Sequence, residues 1–293
     1  MKQQIPATEQ VNPRTQCLDK KTPLGLAHAF NAEDFNAARA VKNAHKEIAA
    51  VMVMAAKTYA NKHRIIFIGA GTSGRLGILE AVECVPTFGT KPSEIIGLIA
   101  GGKRAVFRSQ EGAEDNATQG AKEIAKHAKL GDLVIGLAAS GNTPYVQGAL
   151  QKAQQLGAQT VLISCNSKAQ TRYAQTHICL STGPEALTGS TRMKAGTATK
   201  MALNAITTGA MVLCGKTYGN LMVDVRPTNQ KLIARAIRLI CMVAQTDEKT
   251  ARKLLTASNK NVKTAIVMHM HSCSRTQAQK LLKKANGFLT EAL

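Results

Sequence analysis

Five short apolar segments separated by longer helical patterns constrain the fold of this chain more than any other sequence feature. None of the five contains a lysine, an arginine or a carboxylate. Strands buried on both faces read as continuous apolar runs of this kind, and helices follow them to cover the sheet. The pattern predicts an α/β fold with a doubly wound parallel sheet, whose ligands bind beyond the carboxyl ends of the strands. The segments are residues 65–68, 95–100, 133–138, 160–164 and 177–180.

Helical patterns also flank the predicted sheet. Residues 1–57 begin with a polar, turn-rich lead and continue as a helix from near Asn31, which predicts an N-terminal helical arm outside the core. Residues 58–225 hold the sheet and a long helix at 193–214. Residues 226–293 are predicted to form a small C-terminal helical domain, with helices at 230–244, 248–258, 262–271 and 276–289.

The chain carries a large positive charge. Its 293 residues include 38 Lys and Arg against 18 Asp and Glu, a net charge of +20. Such a surplus indicates an anionic partner, namely a phosphorylated metabolite, nucleic acid or a membrane surface, although solubility alone also accounts for it. Nine of the basic residues lie between Lys249 and Lys284, where there is no acid and no aromatic residue. Solvated helix faces explain that segment better than nucleic-acid binding does.

The sequence favours a cytoplasmic protein without membrane contact. Residues 1–10 contain no apolar stretch of the kind found in a signal peptide, and no apolar run is long enough to span a bilayer. The seven cysteines are odd in number and widely scattered. That pattern is typical of a reducing compartment and not of a disulfide framework.

Three loops that follow predicted strands combine glycines with hydroxyl side chains. They lie at residues 69–75, 140–144 and 181–194, and each one leads into a helix. Glycines let the backbone approach a ligand, hydroxyls donate hydrogen bonds, and the amino end of a helix favours an anion. Together the loops predict a phosphate cradle. The candidate substrate-binding residues are Thr72, Ser73, Ser140, Asn142, Thr143, Glu185, Ser190 and Lys194.

Other kinds of site are less consistent with the sequence. Residues 69–74 match Gly-x-Gly-x-x-Gly, but a dinucleotide site needs an acid after the second strand, where residues 100–103 read Ala-Gly-Gly-Lys. His269 and Cys273 share a helical face without further metal ligands nearby, so neither a metal nor a cofactor is expected. The seven histidines lie outside the three loops, which gives no Ser–His pair for nucleophilic catalysis.

Two glutamates are candidate catalytic residues. Glu83 lies among apolar residues at the end of the first sheet helix, where desolvation would favour the protonated form that a general acid needs. Glu114 lies at the expected start of the next helix, where the helix dipole favours the ionised form that a general base needs. Taken singly, each is better explained as an ordinary structural carboxylate than as a catalytic residue.

Five stretches resemble the N-acetylmuramic acid 6-phosphate etherase family, and the resemblance extends over nearly the whole chain. It implies a SIS fold, with residues 58–225 as the phosphosugar-binding domain, and homodimers with sites near the subunit interface. It also implies that Glu83 is the proton donor and Glu114 the second catalytic residue. Asn142 and Val85 depart from the family pattern, where an arginine and a proline are expected. The stretches are residues 67–77, 83–89, 111–115, 138–146 and 183–197.

The reaction that the resemblance implies is cleavage of a D-lactyl ether with water, in cell-wall amino sugar recycling. The products are N-acetylglucosamine 6-phosphate and D-lactate, formed by C2 proton abstraction, β-elimination and water addition. Two alternatives share the fold: a phosphosugar isomerase and a non-catalytic regulator that senses a sugar phosphate. An assay for released lactate distinguishes the etherase from both alternatives.

Overall fold

The computed structural model describes residues 5–170 and 172–293. Five strands form one sheet in the order β2-β1-β3-β4-β5, and every pair is parallel. The chain runs outward from β1 to β2 and then crosses back to β3, so the order reverses between β1 and β3. The predicted doubly wound parallel sheet is confirmed. The strands are β1 (Ile65–Gly69), β2 (Ile95–Ile99), β3 (Leu133–Leu137), β4 (Gln159–Ser164) and β5 (Thr176–Cys179).

The described residues form twelve α-helices. They are α1 (Pro23–Asn43), α2 (His45–Ala60), α3 (Gly71–Phe88), α4 (Lys103–Phe107), α5 (Ala117–His127), α6 (Pro144–Gln155), α7 (Lys194–Leu213), α8 (Gln230–Ala244), α9 (Glu248–Ala257), α10 (Val262–Met270), α11 (Arg275–Lys284) and α12 (Leu289–Ala292).

The N-terminal helices differ from the expectation in two ways. Helix α1 begins at Pro23, well before Asn31, because Thr22 accepts a 3.2 Å hydrogen bond from the Gly25 N–H and proline suits the first helical position. Helix α2 packs against β1, β3 and β5. Residues 1–57 are therefore not wholly an arm outside the core, since α2 covers the sheet.

The chain divides into two compact units, Met1–Ala81 with Ser93–Thr207, and Val82–Pro92 with Thr208–Leu293. The first unit contains the sheet. The second has its own core, in which Ala236, Ile240 and Ile266 are fully buried. The expected helix at 276–289 is two helices, because Asn286 and Gly287 adopt positive φ angles of 51° and 84° that end α11. The boundaries predicted after residues 57 and 225 stay a prediction.

Two glycines let helices α5 and α6 pack backbone to backbone. A Cβ at Gly120 would lie 1.9 Å from the Tyr145 carbonyl oxygen, and one at Gly148 would lie 2.1 Å from the Ala117 carbonyl oxygen. Because both neighbours are backbone atoms, no side-chain rotation can relieve the overlap. The α5–α6 contact therefore depends on glycine at both positions.

We expect Gly148→Ala to lower the free energy of unfolding by about 1–3 kcal/mol through overpacking. Gly196→Ala is the matched control, since a Cβ there would meet its nearest neighbour at an ordinary 3.5 Å within a helix. Urea unfolding of both variants tests this. Equal stability of Gly148→Ala and the wild type would contradict the close contact.

No helix in the part of the chain that the structure describes combines the length and apolar character needed to cross a bilayer.

Candidate active site

A cavity of about 370 Å³ lies beyond the carboxyl ends of β1 and β3, where the strand order reverses. Ligands bind at this switch point in open α/β sheets, because the loops on its two sides diverge there. The cavity brings together six of the residues predicted from sequence. They are Thr72, Ser73, Glu114, Ser140, Asn142 and Thr143.

The loop after β1 turns sharply into α3 through two close backbone approaches. A Cβ at Gly69 would lie 2.8 Å from the Gly74 nitrogen, and one at Gly74 would lie 2.7 Å from the Gly69 carbonyl oxygen. This turn places Thr72 and Ser73 in the first turn of α3, where backbone N–H groups have no partner within the helix. Hydroxyl and amide donors therefore meet at the cavity wall.

The loop after β3 is held by hydrogen bonds from neighbouring segments. The Asn166 side chain donates to the Ser140 carbonyl oxygen at 2.9 Å, and the Asn142 Oδ1 accepts from the Gln170 N–H at 3.0 Å. Thr143 precedes α6, and its side chain makes no capping hydrogen bond to that helix. The Asn142 side chain therefore fixes the position of the loop. The Thr143 hydroxyl can bind a ligand, because it does not cap α6.

The cavity lining is acidic and contains no lysine or arginine among the residues described. Glu9, Glu114 and Asp115 all contribute to it. Glu114 is exposed and lies in a 3₁₀ turn, Ala113–Asp115, one turn before α5. The N-cap of α5 is Asn116, so the expectation that Glu114 begins this helix is wrong by a few residues.

Glu83 does not have the environment expected for it. It lies in the fourth turn of α3 and its side chain is exposed, as is that of the neighbouring Val82. The chain by itself therefore does not desolvate this carboxyl. Glu83 is also not among the described residues that line the 370 Å³ cavity.

The third predicted loop folds around two buried charged residues. Glu185 is fully buried and accepts hydrogen bonds from the Lys194 and Ala195 N–H groups at 3.0 and 2.9 Å, at the start of α7. Burial raises the pKa of Glu185. The Lys194 ammonium is also fully buried, pairs with Glu33 and donates to the Pro184 carbonyl oxygen at 2.5 Å.

Neither Glu185 nor Lys194 lines the cavity, and nor does the partly buried Ser190. Thr191 lines it instead. The direct contacts predicted for Glu185, Ser190 and Lys194 with a substrate stay predictions. In this structure, Glu185 and Lys194 stabilise the loop through their hydrogen bonds.

Glu33 joins this loop to the N-terminal segment. Arg14 donates to its carboxylate at 2.5 and 3.0 Å and Asn12 at 2.9 Å, in addition to Lys194. The hydrogen bonds from Arg14, and after them those from Lys194 and Asn12, outweigh burial and lower the pKa of Glu33 to about 2.

The N-terminal segment held in this way reaches the cavity at Glu9. A Cβ on Gly189 would lie 3.1 Å from the Glu9 carboxylate, so glycine allows the close approach. Sequence reasoning missed Glu9, Thr191 and Glu33. Thr191 lay inside a loop already selected for its hydroxyls, whereas nothing in the sequence connects Glu9 or Glu33 to that loop.

The five-stranded parallel sheet, with a cavity at its switch point, has the SIS fold. The SIS domain model matches residues 115–209, and the model of the glucokinase regulatory protein N-terminal SIS domain matches residues 47–154. The solved phosphoheptose isomerase of Neisseria gonorrhoeae is similar with a TM-score of 0.42 and 17% identity, over 64% of this chain and 98% of that one.

Curated relatives define the family more narrowly. The N-acetylmuramic acid 6-phosphate etherase of Francisella tularensis subsp. holarctica (strain LVS) is 48% identical over 96% of this chain and 97% of its own length. That of Exiguobacterium sp. (strain ATCC BAA-1283 / AT1b) is 48% identical over 98% of both. This chain belongs to the N-acetylmuramic acid 6-phosphate etherase family, which confirms the resemblance seen in the five stretches.

Proposed function

We propose that this chain is a carbon–oxygen lyase that cleaves the D-lactyl ether of N-acetylmuramic acid 6-phosphate with water. The products are N-acetylglucosamine 6-phosphate and D-lactate, and the reaction serves cell-wall amino sugar recycling in the cytoplasm. One observation carries the proposal. Glu114 and the hydroxyl loops line one cavity at the switch point, in a chain that is 48% identical to etherases over nearly its full length.

The chemistry needs one base and one acid. The ring-opened aldehyde acidifies the proton on C2, and Glu114 removes it. The electrons left on C2 form a double bond to C3 as the C3–O bond breaks, and Glu83 protonates the departing lactate oxygen. Water then adds to C3 of the enal. Each proton transfer by a positioned carboxyl accelerates its step about 10²–10⁴-fold.

The phosphate acts as an anchor in this scheme. Ser73, Ser140 and Thr143 donate hydroxyl hydrogen bonds, and the free N–H groups at the start of α3 add partial positive charge. Thr72 and Asn142 complete the lining. With the phosphate fixed, the sugar presents its reacting carbons to Glu114 in one orientation.

In the proposed mechanism, the Glu83 that acts at each cavity belongs to a second copy of the chain. Ser73 and Glu83 lie on the same helix, ten residues apart, and the rise of an α-helix separates them by about 15 Å along its axis. That distance exceeds the span of a sugar ring. A homodimer in which each copy supplies Glu83 to the other's cavity places both carboxyls at one site, and burial at the interface supplies the desolvation that the exposed Glu83 lacks.

Incubation of the protein with N-acetylmuramic acid 6-phosphate and measurement of D-lactate tests the proposed function. We expect Glu83→Ala to release no lactate while it still exchanges the C2 proton with solvent, since Glu114 remains. Isomerised sugar phosphate without lactate would identify an isomerase, and binding without turnover would identify a sensor. Loss of both lactate release and exchange in Glu83→Ala would contradict the division of roles.

A further inference from the structure

A second cavity of about 100 Å³ adjoins the proposed phosphate cavity. The two share Ala70, Gly71 and Glu114 in their linings. The rest of its wall comes from Arg75 on α3, from two alanines after β2 and on α4, and from the segment that follows α4, which includes Ser109 and Glu111. Glu114 therefore stands between two cavities with different linings.

Arg75 is the basic residue of the small cavity among the residues described, and its charge has no acidic partner there. Its Nε donates to the Val106 carbonyl oxygen at 3.0 Å, and one terminal nitrogen, Nη2, donates to the Ala105 carbonyl oxygen at 2.7 Å. No carboxylate of the described residues lies within ion-pair distance of Arg75. The nearby Glu111 instead accepts a 2.8 Å bond from Ser109. A partly buried guanidinium in this state favours an anionic ligand, because an opposite charge offsets the cost of its burial.

The two carbonyl bonds also fix the direction of the guanidinium. Nε and Nη2 are held by consecutive residues of α4, and no hydrogen bond of the described residues uses the second terminal nitrogen, Nη1. A guanidinium presents its donors in a rigid, planar arrangement that suits a carboxylate better than a point charge does. The small cavity is thus equipped for a small carboxylate.

We infer that the small cavity binds the lactyl group of the substrate and that Arg75 binds its carboxylate. This inference rests on the proposed function. The substrate carries two anionic groups. The larger cavity offers hydroxyl donors and the N–H groups at the start of α3 to the phosphate, whereas Arg75 in the small cavity offers a guanidinium to the carboxylate. Glu114 takes the proton from C2, and the ether oxygen sits on the adjacent carbon C3, so the lactyl group projects past Glu114 into the small cavity.

This arrangement gives Arg75 a role in specificity. The lactyl carboxylate is the feature that distinguishes the substrate from the product N-acetylglucosamine 6-phosphate, which has only a hydroxyl at C3. Arg75 therefore strengthens binding of the substrate over the product and holds the leaving group while the C3–O bond breaks. The carboxylate itself forms and breaks no covalent bond.

The test compares substrate and product binding in Arg75→Gln. We expect KM for N-acetylmuramic acid 6-phosphate to rise about 10–100-fold, the equivalent of losing charge-assisted hydrogen bonds. The dissociation constant of N-acetylglucosamine 6-phosphate, measured by calorimetry, should change less than about threefold, because that ligand has no carboxylate. Arg75→Lys, which keeps the charge without the planar pair of donors, should lie between Arg75→Gln and the wild type.

Arg104→Gln is the matched control, because Arg104 is an exposed arginine of α4 that lines neither cavity. It should leave both constants unchanged. If Arg75→Gln weakens substrate and product equally, Arg75 only holds the carbonyls of residues 105 and 106, and the inference is wrong. An equal loss in Arg104→Gln would assign the effect to general electrostatics and also overturn it. Wild-type protein that releases no lactate would instead overturn the proposed function.

Discussion

A mixed dimer of two inactive variants, Glu83→Gln and Glu114→Gln, should release lactate at about half the wild-type rate. In a two-fold symmetric dimer whose copies exchange Glu83, one of the two sites then contains both wild-type carboxyls and the other contains neither. If each site used both glutamates of one chain, both sites of the mixed dimer would lack a carboxyl. The expected difference between the two arrangements is therefore large.

The parent homodimers set the baseline for this experiment. Each should lose about 10²–10⁴-fold in kcat, because glutamine keeps the shape of the side chain but transfers no proton. Coexpression with two different affinity tags and purification by both tags in turn gives the mixed dimer free of its parents.

The control is a dimer of Glu83→Gln with the doubly substituted chain, which contains no complete site under either arrangement. It should remain as inactive as the parents. An inactive Glu83→Gln/Glu114→Gln mixed dimer would show that the two carboxyls do not meet across an interface. A wild-type chain that elutes as a monomer would do the same.

The strands were predictable because their physical signal is local. Each apolar run has the composition of a fully buried strand, and the observed strands match the predicted ones to within a residue or so at each end. The start of α1 was missed although Thr22-Pro23 is a helix-start signal, because the polar lead around it suggested a turn. The break at Asn286-Gly287 was also missed, since a single positive-φ pair interrupts an otherwise helical pattern.

The meeting of the three hydroxyl-bearing loops at one cavity was predictable for a topological reason. In a parallel sheet all carboxyl ends point to one edge, so loops that are distant in sequence meet without any knowledge of side-chain packing. Ser73, Ser140 and Thr143 line one cavity as expected. The environment of Glu83 was not predictable, because apolar neighbours along the sequence of a helix face in several directions and do not by themselves bury a side chain.

The Glu33–Lys194 pair was not predictable from the sequence, since 161 positions separate the two residues and no motif connects them. Lys194 was instead interpreted as a ligand because it follows a hydroxyl-rich loop. Its burial and its ion pair with Glu33 fix the loop that carries Thr191 to the cavity, and its contact with a substrate stays a prediction. We therefore expect replacement of Glu33 and replacement of Lys194 to destabilise the protein by different amounts.

Replacement of Glu33 should destabilise the protein more than replacement of Lys194. Glu33→Leu removes the ion-pair partner of a fully buried ammonium and leaves that ammonium its hydrogen bond to the Pro184 carbonyl oxygen, and breaking a buried pair by removing one partner costs about 3–5 kcal/mol of unfolding free energy. Lys194→Met leaves Glu33 with its bonds to Arg14 and Asn12. Its cost should be smaller, about 1–3 kcal/mol.

The double variant Glu33→Leu/Lys194→Met provides the decisive comparison. It removes the stranded ammonium, so it should be more stable than Glu33→Leu alone, and the two single losses should not add. Urea unfolding at neutral pH measures all four proteins. Glu248→Gln, which breaks the exposed pair with Arg252, should change nothing measurable. Additive losses in the double variant would mean that Glu33 and Lys194 act independently.

The pH dependence of the stability difference between the wild type and Glu33→Leu provides a second test, and the pKa of Glu33 determines its direction. The pKa of Glu33 is lowered from 4.5 to about 2 in the folded chain. Its ionised form therefore stabilises the fold fully above pH 4.5, and this contribution is lost as the pH falls toward 2. The gap in unfolding free energy between the wild type and Glu33→Leu should be widest near neutrality and should narrow below pH 4.5. A gap that widens on acidification would contradict an ionised Glu33 as the partner that keeps Lys194 and its loop in place.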